Sequence, residues 1–244
     1  MRDVIRIAMW SGPRNISTAL MRSFENRPDT MVVDEPFYAC FLQETGIDHP
    51  GRQLVLKAQS TDWRQVANDL TAAVPDGYDI FYQKHMCHHM VGSLDWAWAR
   101  TLKHAFLIRD PRAMLASYVK SRAEVTLDDI GLVRQVDIFE READRLGSAP
   151  PVIEGSDILR DPEFYLGRLC EALGIAFDQA MLSWPSGARD TDGVWAPWWY
   201  ENVQKSTGFM KREESEKVHL NAALERIADQ ALPLYERMRA HKIT

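Results

Sequence analysis

The chain has 244 residues, 45% apolar and 26% charged, with a formal net charge of −6. That length and composition fit a single α/β domain with a proper core, and the acidic balance excludes a global basic field for nucleic acid. No apolar run reaches membrane-spanning length, Arg6 and Gly12-Pro13 break any signal-peptide core, and Cys40, Cys87 and Cys170 are too scattered for a disulfide framework, so the expectation is a cytoplasmic protein with neither nucleic-acid nor membrane partner.

Val4 to Trp10 reads as a first strand, broken by Ser11-Gly12-Pro13. Ile16, Ala19, Leu20 and Phe24 then recur at helical spacing, with Asn15 as candidate cap. The N–H groups of a first helical turn have no intrahelical partner and, with the helix dipole, favour an anion. Arg14 adds a charge there, and Ser17 and Thr18 add hydroxyl donors. The stretch reads as a phosphate or sulfate site; the alternative is an ordinary strand–helix turn with a buried Arg.

Thr30 to Val33 is a second strand ending in Asp34-Glu35-Pro36. A helix in residues 37–46 opens into an irregular loop near 46–52, and a further helix spans Asp62 to Val74. Asp79 to Gln83 is a third strand running into Lys84-His85, and residues 93–102 read as helix. His104 to Ile108 is a fourth strand, followed by Arg109, an Asp110 cap and Pro111 at the first helical position. Apolar spacing predicts a long helix from Thr126 to Leu146, a short fifth strand at Val152-Ile153, and a helix opened by Asp161-Pro162 and stopped at Gly174. Residues 184–214 are irregular, and a last helix runs from Ser215 to His241 with a kink at Pro233.

Strands alternating with helices imply a parallel sheet covered on both faces, with ligands bound beyond the carboxyl ends of the strands. The loops at those ends carry Arg14, Asp34-Glu35, Lys84-His85 and Arg109. A strand-end Arg with Ser117 two helical turns on makes a phosphate clamp; the alternative is an Arg engaged in a structural ion pair. The cluster His85, Cys87, His88, His89 lacks a second pair of ligands and is not read as a metal site. The rings of Trp195, Trp198, Trp199 and Tyr200 fit either a wall of the ligand crevice or plain core packing.

The loop after the first strand lacks the second Gly and the Lys of a nucleoside-triphosphate loop. With its Pro13-Arg14 pair followed by hydroxyl residues, it resembles the 5′-phosphosulfate loop of sulfotransferases that use 3′-phosphoadenosine 5′-phosphosulfate (PAPS), with Ile16 in place of the usual Gly. Arg109 and Ser117 resemble the same family's 3′-phosphate motif. Residues 152–175 resemble its late strand and helix through Asp157, Asp161, Pro162, Leu173 and Gly174, with Gly155-Ser156 in place of Tyr-Glu. Residues 204–209, containing Ser206, Thr207 and Gly208, resemble the loop that closes over the nucleotide.

The whole pattern resembles bacterial-type, PAPS-dependent sulfotransferases, from Val4 to about Met238. The resemblance implies a P-loop-type three-layer sandwich around a five-stranded parallel sheet. It implies PAPS as co-substrate, no metal, and a small hydroxyl or amine acceptor. It implies that Arg14, Asn15, Ser17, Thr18, Arg109, Ser117, Ser206, Thr207 and Gly208 hold the nucleotide. It implies that Arg14 stabilises the leaving phosphate and that either Glu35 or His85 is the base, with Glu35 preferred. Two alternatives stay open: a P-loop kinase with Asp34 on magnesium, and a catalytically silent nucleotide-binding protein. The sequence sets no oligomeric state.

Overall fold

The computed structural model describes residues 4–119, 125–210 and 220–244. Five strands, β1 (Ile5–Ser11), β2 (Thr30–Asp34), β3 (Ile80–Met86), β4 (Lys103–Ile108) and β5 (Val152–Glu154), form one all-parallel sheet in the order β2-β3-β1-β4-β5. The helices are α1 (Ser17–Glu25), α2 (Tyr38–Thr45), α3 (Arg52–Ala58), α4 (Trp63–Thr71), α5 (Pro111–Tyr118), α6 (Leu132–Leu146), α7 (Gly155–Arg160), α8 (Pro162–Leu173), α9 (Ala196–Trp199), α10 (Glu201–Gln204) and α11 (Ala222–Arg239).

The sheet is buried on both faces, as its nearly unbroken apolar strands require. On one face α1 and α8 set Leu20, Met21, Phe24, Leu166 and Leu169 against Ile7, Met9, Tyr82 and Leu107. On the other, α4, α5, α6 and α11 set Val66, Leu115, Phe139 and Met238 against Trp10, Phe81 and Phe106. A third apolar cluster, built from Tyr38, Phe41, Leu42, Val55, Trp195 and Tyr200, packs beyond the carboxyl ends of β2 and β3. No helix among the described residues is long and apolar enough to cross a membrane.

The capping signals act as their chemistry dictates. Asp110 accepts the Ala113 N–H at 2.9 Å and Asp161 accepts the Phe164 N–H at 3.2 Å, each with Pro at the next position. Other expectations shift. β3 runs to Met86, so Lys84 and His85 lie inside the strand rather than after it. The helix expected from Thr126 begins at Leu132, because Gly131 sits at φ 70° and Thr126 and Asp129 close a turn on each other. Residues 93–102 supply a 3-10 helix at Ala97–Thr101, and the loop expected at 46–52 leads into α3. The last helix is capped by Asn221 and continues through Pro233; the expected start at 215–219 lies outside the described residues.

Candidate active site

Two clusters sit at the carboxyl ends of the strands. The first joins the loop after β1 to the end of β4 and the last turn of α5. Arg14 holds a left-handed backbone, φ 54°, and its Nε donates to Ser117 Oγ at 3.3 Å. Arg109, at the end of β4, donates to the Arg14 carbonyl. Asn15 does not cap α1. Its Oδ1 accepts the Ile16 N–H at 2.9 Å and its amide donates to the Leu107 carbonyl at 3.2 Å. Ile16 is the N-cap residue and offers no side-chain hydrogen bond. The Ile16 side chain thus caps none of the first-turn N–H groups at Ser17 and Thr18, an arrangement that favours an anion.

The substitutions in the family-like motifs have local reasons. Ile16 has φ −84°, a value open to a β-branched residue, so no Gly is needed there. A Cβ on Gly155 would lie 2.6 Å from Asn15 Oδ1, so a larger residue after β5 would require the Asn15 side chain to move.

The second cluster lies at the ends of β2 and β3. Glu35 is the other non-glycine residue with positive φ, 42°, among the described residues. Its N–H extends the ladder to the Lys84 carbonyl at 2.9 Å, and Gln59 donates to its carbonyl at 3.1 Å. Strained backbone held by such contacts is an observed outlier that points to function. Lys84, 1% exposed, lies 2.8 Å from Asp34 and 2.6 Å from Glu35. Burial pulls the Lys84 ammonium down, but the two carboxylates outweigh it and hold it well above the usual lysine range. Burial pushes the Glu35 carboxyl up, opposed by Lys84 and reinforced by Asp34. The site therefore holds a carboxylate more basic than an ordinary glutamate, still partly open at 12% exposure.

His85 is not brought to this cluster. Successive residues of a strand face opposite sides of the sheet, so Lys84 and His85 diverge. His85 stacks on Trp10 at 4.4 Å, beside Phe37 and Trp98, and burial pushes its imidazole down to about 3. It lies buried among aromatic rings, 3.2 Å from Gln83 Oε1, and is not brought to Glu35. His89, which the sequence gave no role, comes closer. Its Nε2 is 3.9 Å from Glu35 Oε2, and its ring stacks on Tyr38 at 4.5 Å. Burial, then the neighbouring His88 and His49, hold His89 well below the usual range, so the contact with Glu35 is not an ion pair. No group of three or more His, Cys, Asp or Glu among the described residues is arranged to hold a metal ion.

Buried neutral histidines have a thermodynamic signature. Below the ordinary histidine value of 6.5 the unfolded chain takes up protons that folded His85 refuses until about 3. Stability should fall on acidification through that window by about 1.4 kcal/mol per pH unit for each such histidine. Urea titrations between pH 7 and 5 measure the slope, and His85→Phe, if it folds, should flatten it.

The segment 187–200 ties α1 to the second cluster. Arg22 on α1, 1% exposed, holds Asp192 at 2.7 Å. The Gly193 N–H then reaches Asp34 Oδ2 at 3.2 Å, and Tyr200 reaches the same oxygen at 2.6 Å. Of the aromatic run, Trp195 and Tyr200 are buried beside Lys84 and Asp34, whereas Trp198 is 43% exposed. Ser206, Thr207 and Gly208 lie elsewhere. Ser206 meets the Trp184 indole at 3.2 Å, the Thr207 carbonyl takes the Trp184 N–H at 3.0 Å, and Gly208 bridges Ser183. Asn26, the C-cap of α1, donates to the Ser183 carbonyl at 2.7 Å. This places the three residues toward the far end of α1 from the phosphate loop.

Comparison with known proteins identifies the family and the fold. The chain is 37% identical over 235 residues to the branched-chain-amino-acid aminotransferase-like protein 1 of Arabidopsis thaliana, covering 96% of this chain and 42% of that protein. It thus spans less than half the length of the curated relatives it matches. Among solved structures it resembles the sulfotransferase domain of the Synechococcus PCC 7002 olefin synthase, with a TM-score of 0.62 at 20% identity over 100% of this chain and 98% of that one. A sulfotransferase from Alicyclobacillus acidocaldarius gives 0.57 at 14% identity over 98% and 97%. These two likenesses establish the fold. A family model described as "Sulfotransferase domain" matches residues 5–242, nearly the whole chain, and the chain belongs to that family.

Proposed function

We propose that this chain transfers a sulfuryl group from PAPS to a hydroxyl or amine of a small acceptor, as one catalytic domain. The observation that carries the reading is the convergence of Arg14, Arg109 and Ser117 beside the uncapped start of α1. Two guanidinium groups, a hydroxyl and free N–H groups suit a doubly phosphorylated nucleotide. Arg109 and Ser117 take the 3′-phosphate. Arg14, Ser17, Thr18 and the first-turn N–H groups take the 5′-phosphosulfate.

Glu35 is the base in this reading. β1 and β2 are separated by β3, so their ends stand two strand spacings apart, about 10 Å. That gap accommodates the sulfuryl group with the acceptor lined up behind it. The acceptor oxygen or nitrogen bonds to sulfur, and its proton passes to Glu35. The bond from sulfur to the bridging oxygen breaks, and its electron pair stays on the phosphate, where Arg14 stabilises the charge.

The kinase alternative meets an obstacle in Asp34. Both its oxygens are engaged, Oδ1 by Lys84 and Oδ2 by Tyr200 and Gly193, so it is poorly disposed to bind magnesium. The test is release of adenosine 3′,5′-bisphosphate from PAPS over a panel of phenols, alcohols and amines. Acceptor-dependent release supports the reading; bisphosphate binding with no release for any acceptor supports the silent nucleotide-binding protein.

A further inference from the structure

The hydrogen bonds around Lys84 account for every proton it carries. An ammonium has three donors and no acceptor. Lys84 Nζ directs them to Asp34 Oδ1 at 2.8 Å, Glu35 Oε1 at 2.6 Å and the Tyr200 hydroxyl at 2.8 Å. The Tyr200 hydroxyl is complete as well. It donates to Asp34 Oδ2 at 2.6 Å, and its lone pairs receive Lys84 and the Trp195 indole N–H, the latter at 3.0 Å. One atom is left over: Glu35 Oε2 accepts no hydrogen bond among the described residues.

We propose that Tyr200 is a positioning residue for the base, its hydroxyl holding Asp34 and Lys84 so that Glu35 is gripped by Oε1 and presents Oε2 to the acceptor. This rests on the assignment of Glu35 as base. The transferred proton then goes to Oε2, the oxygen that faces the His89 ring, and not to the oxygen on Lys84. Tyr200 and Trp195 reach the cluster from a segment also tied to α1 by Arg22 and Asp192, so the base is assembled from parts distant in sequence.

The charged and titratable groups facing Glu35 are Lys84 on β3, Asp34 on β2, Tyr200 at the start of α10 and His89 after β3. Asp34 raises the Glu35 carboxyl, and the Tyr200 hydroxyl works against that. Without the hydroxyl, Glu35 Oε1 loses its 3.5 Å contact with Tyr200, which lowers the carboxyl, while burial and Asp34 still raise it, so Glu35 holds its proton to higher pH.

The experiment is a carbon-13 NMR titration of the glutamate carboxyls, with Glu35→Gln identifying the Glu35 signal. No PAPS is used, so the outcome is separate from that of the transfer assay. In Tyr200→Phe the Glu35 midpoint should rise by about half a pH unit or more. In protein with 3-fluorotyrosine at position 200, a stronger donor of the same shape, it should fall. A Glu35 midpoint unmoved in folded Tyr200→Phe overturns the proposal. Should that variant not fold, an unmoved midpoint in the fluorotyrosine protein overturns it equally.

Discussion

Glu35→Gln is expected to lower turnover of PAPS by roughly 100-fold or more, the scale of losing a positioned base. The amide keeps the shape of the side chain and its contact with Lys84 while removing the basicity. The fold should survive, because Lys84 retains Asp34 at 2.8 Å and the cluster goes from two carboxylates on one ammonium to one. Affinity for adenosine 3′,5′-bisphosphate should stay within a few tenths of a kcal/mol, since the phosphate cluster is built from Arg14, Arg109 and Ser117 instead. Steady-state kinetics with a parallel binding titration check both statements. Normal turnover in Glu35→Gln would remove Glu35 from the mechanism, and a dead His85→Asn beside it would reverse the assignment.

Lys84→Met should be the most damaging single change to stability, by about 3–5 kcal/mol, the usual cost of breaking a buried ion pair. Met fills most of the volume but leaves Asp34 and Glu35 facing each other without a counter-charge, and the Tyr200 hydroxyl without its ammonium donor. The deficit has a pH signature. With Lys84 gone, Glu35 loses the charge that lowers its carboxyl while burial and Asp34 still raise it, so it holds its proton to higher pH than in the unfolded chain. Stability is then retained below the unfolded carboxylate range and lost as pH rises through the raised folded value. Chemical denaturation at pH 5 and 8 should show the larger loss at pH 8. A loss under about 1 kcal/mol at both would mean that the pair behaves as a solvated surface bridge.

The parts of this site that were legible in the sequence are those whose signal is local. A short β-rich apolar run, a Gly-Pro break and a 3.6-period run place Arg14 at a strand–helix junction without any knowledge of the rest of the fold. Asp110-Pro111 and Asp161-Pro162 announce helix starts by the same short-range chemistry, and both cap as expected. The parallel sheet followed from alternation of elements, and it alone brought Arg14, Glu35 and Arg109 to one edge.

What the sequence hid is long-range or hangs on one residue of register. Lys84 and His85 read as a pair because the strand seemed to stop at Gln83. Three more residues of ladder to Met86 send them to opposite faces and decide which belongs to the site. Tyr200 meets Lys84 across 116 positions, and no spacing rule links them. Ser206 to Gly208 pack against residues 183 and 184, a contact no spacing rule predicts.

The most direct measurement is calorimetry of adenosine 3′,5′-bisphosphate against AMP and ADP, in the presence of a chelator. The geometry at Arg109 and Ser117 predicts that the bisphosphate binds more tightly than either, without magnesium, and that Arg109→Ala weakens it by at least roughly tenfold, the worth of one charge-assisted contact. Equal affinity for AMP and the bisphosphate, or tight ATP binding that appears only with magnesium, would contradict it.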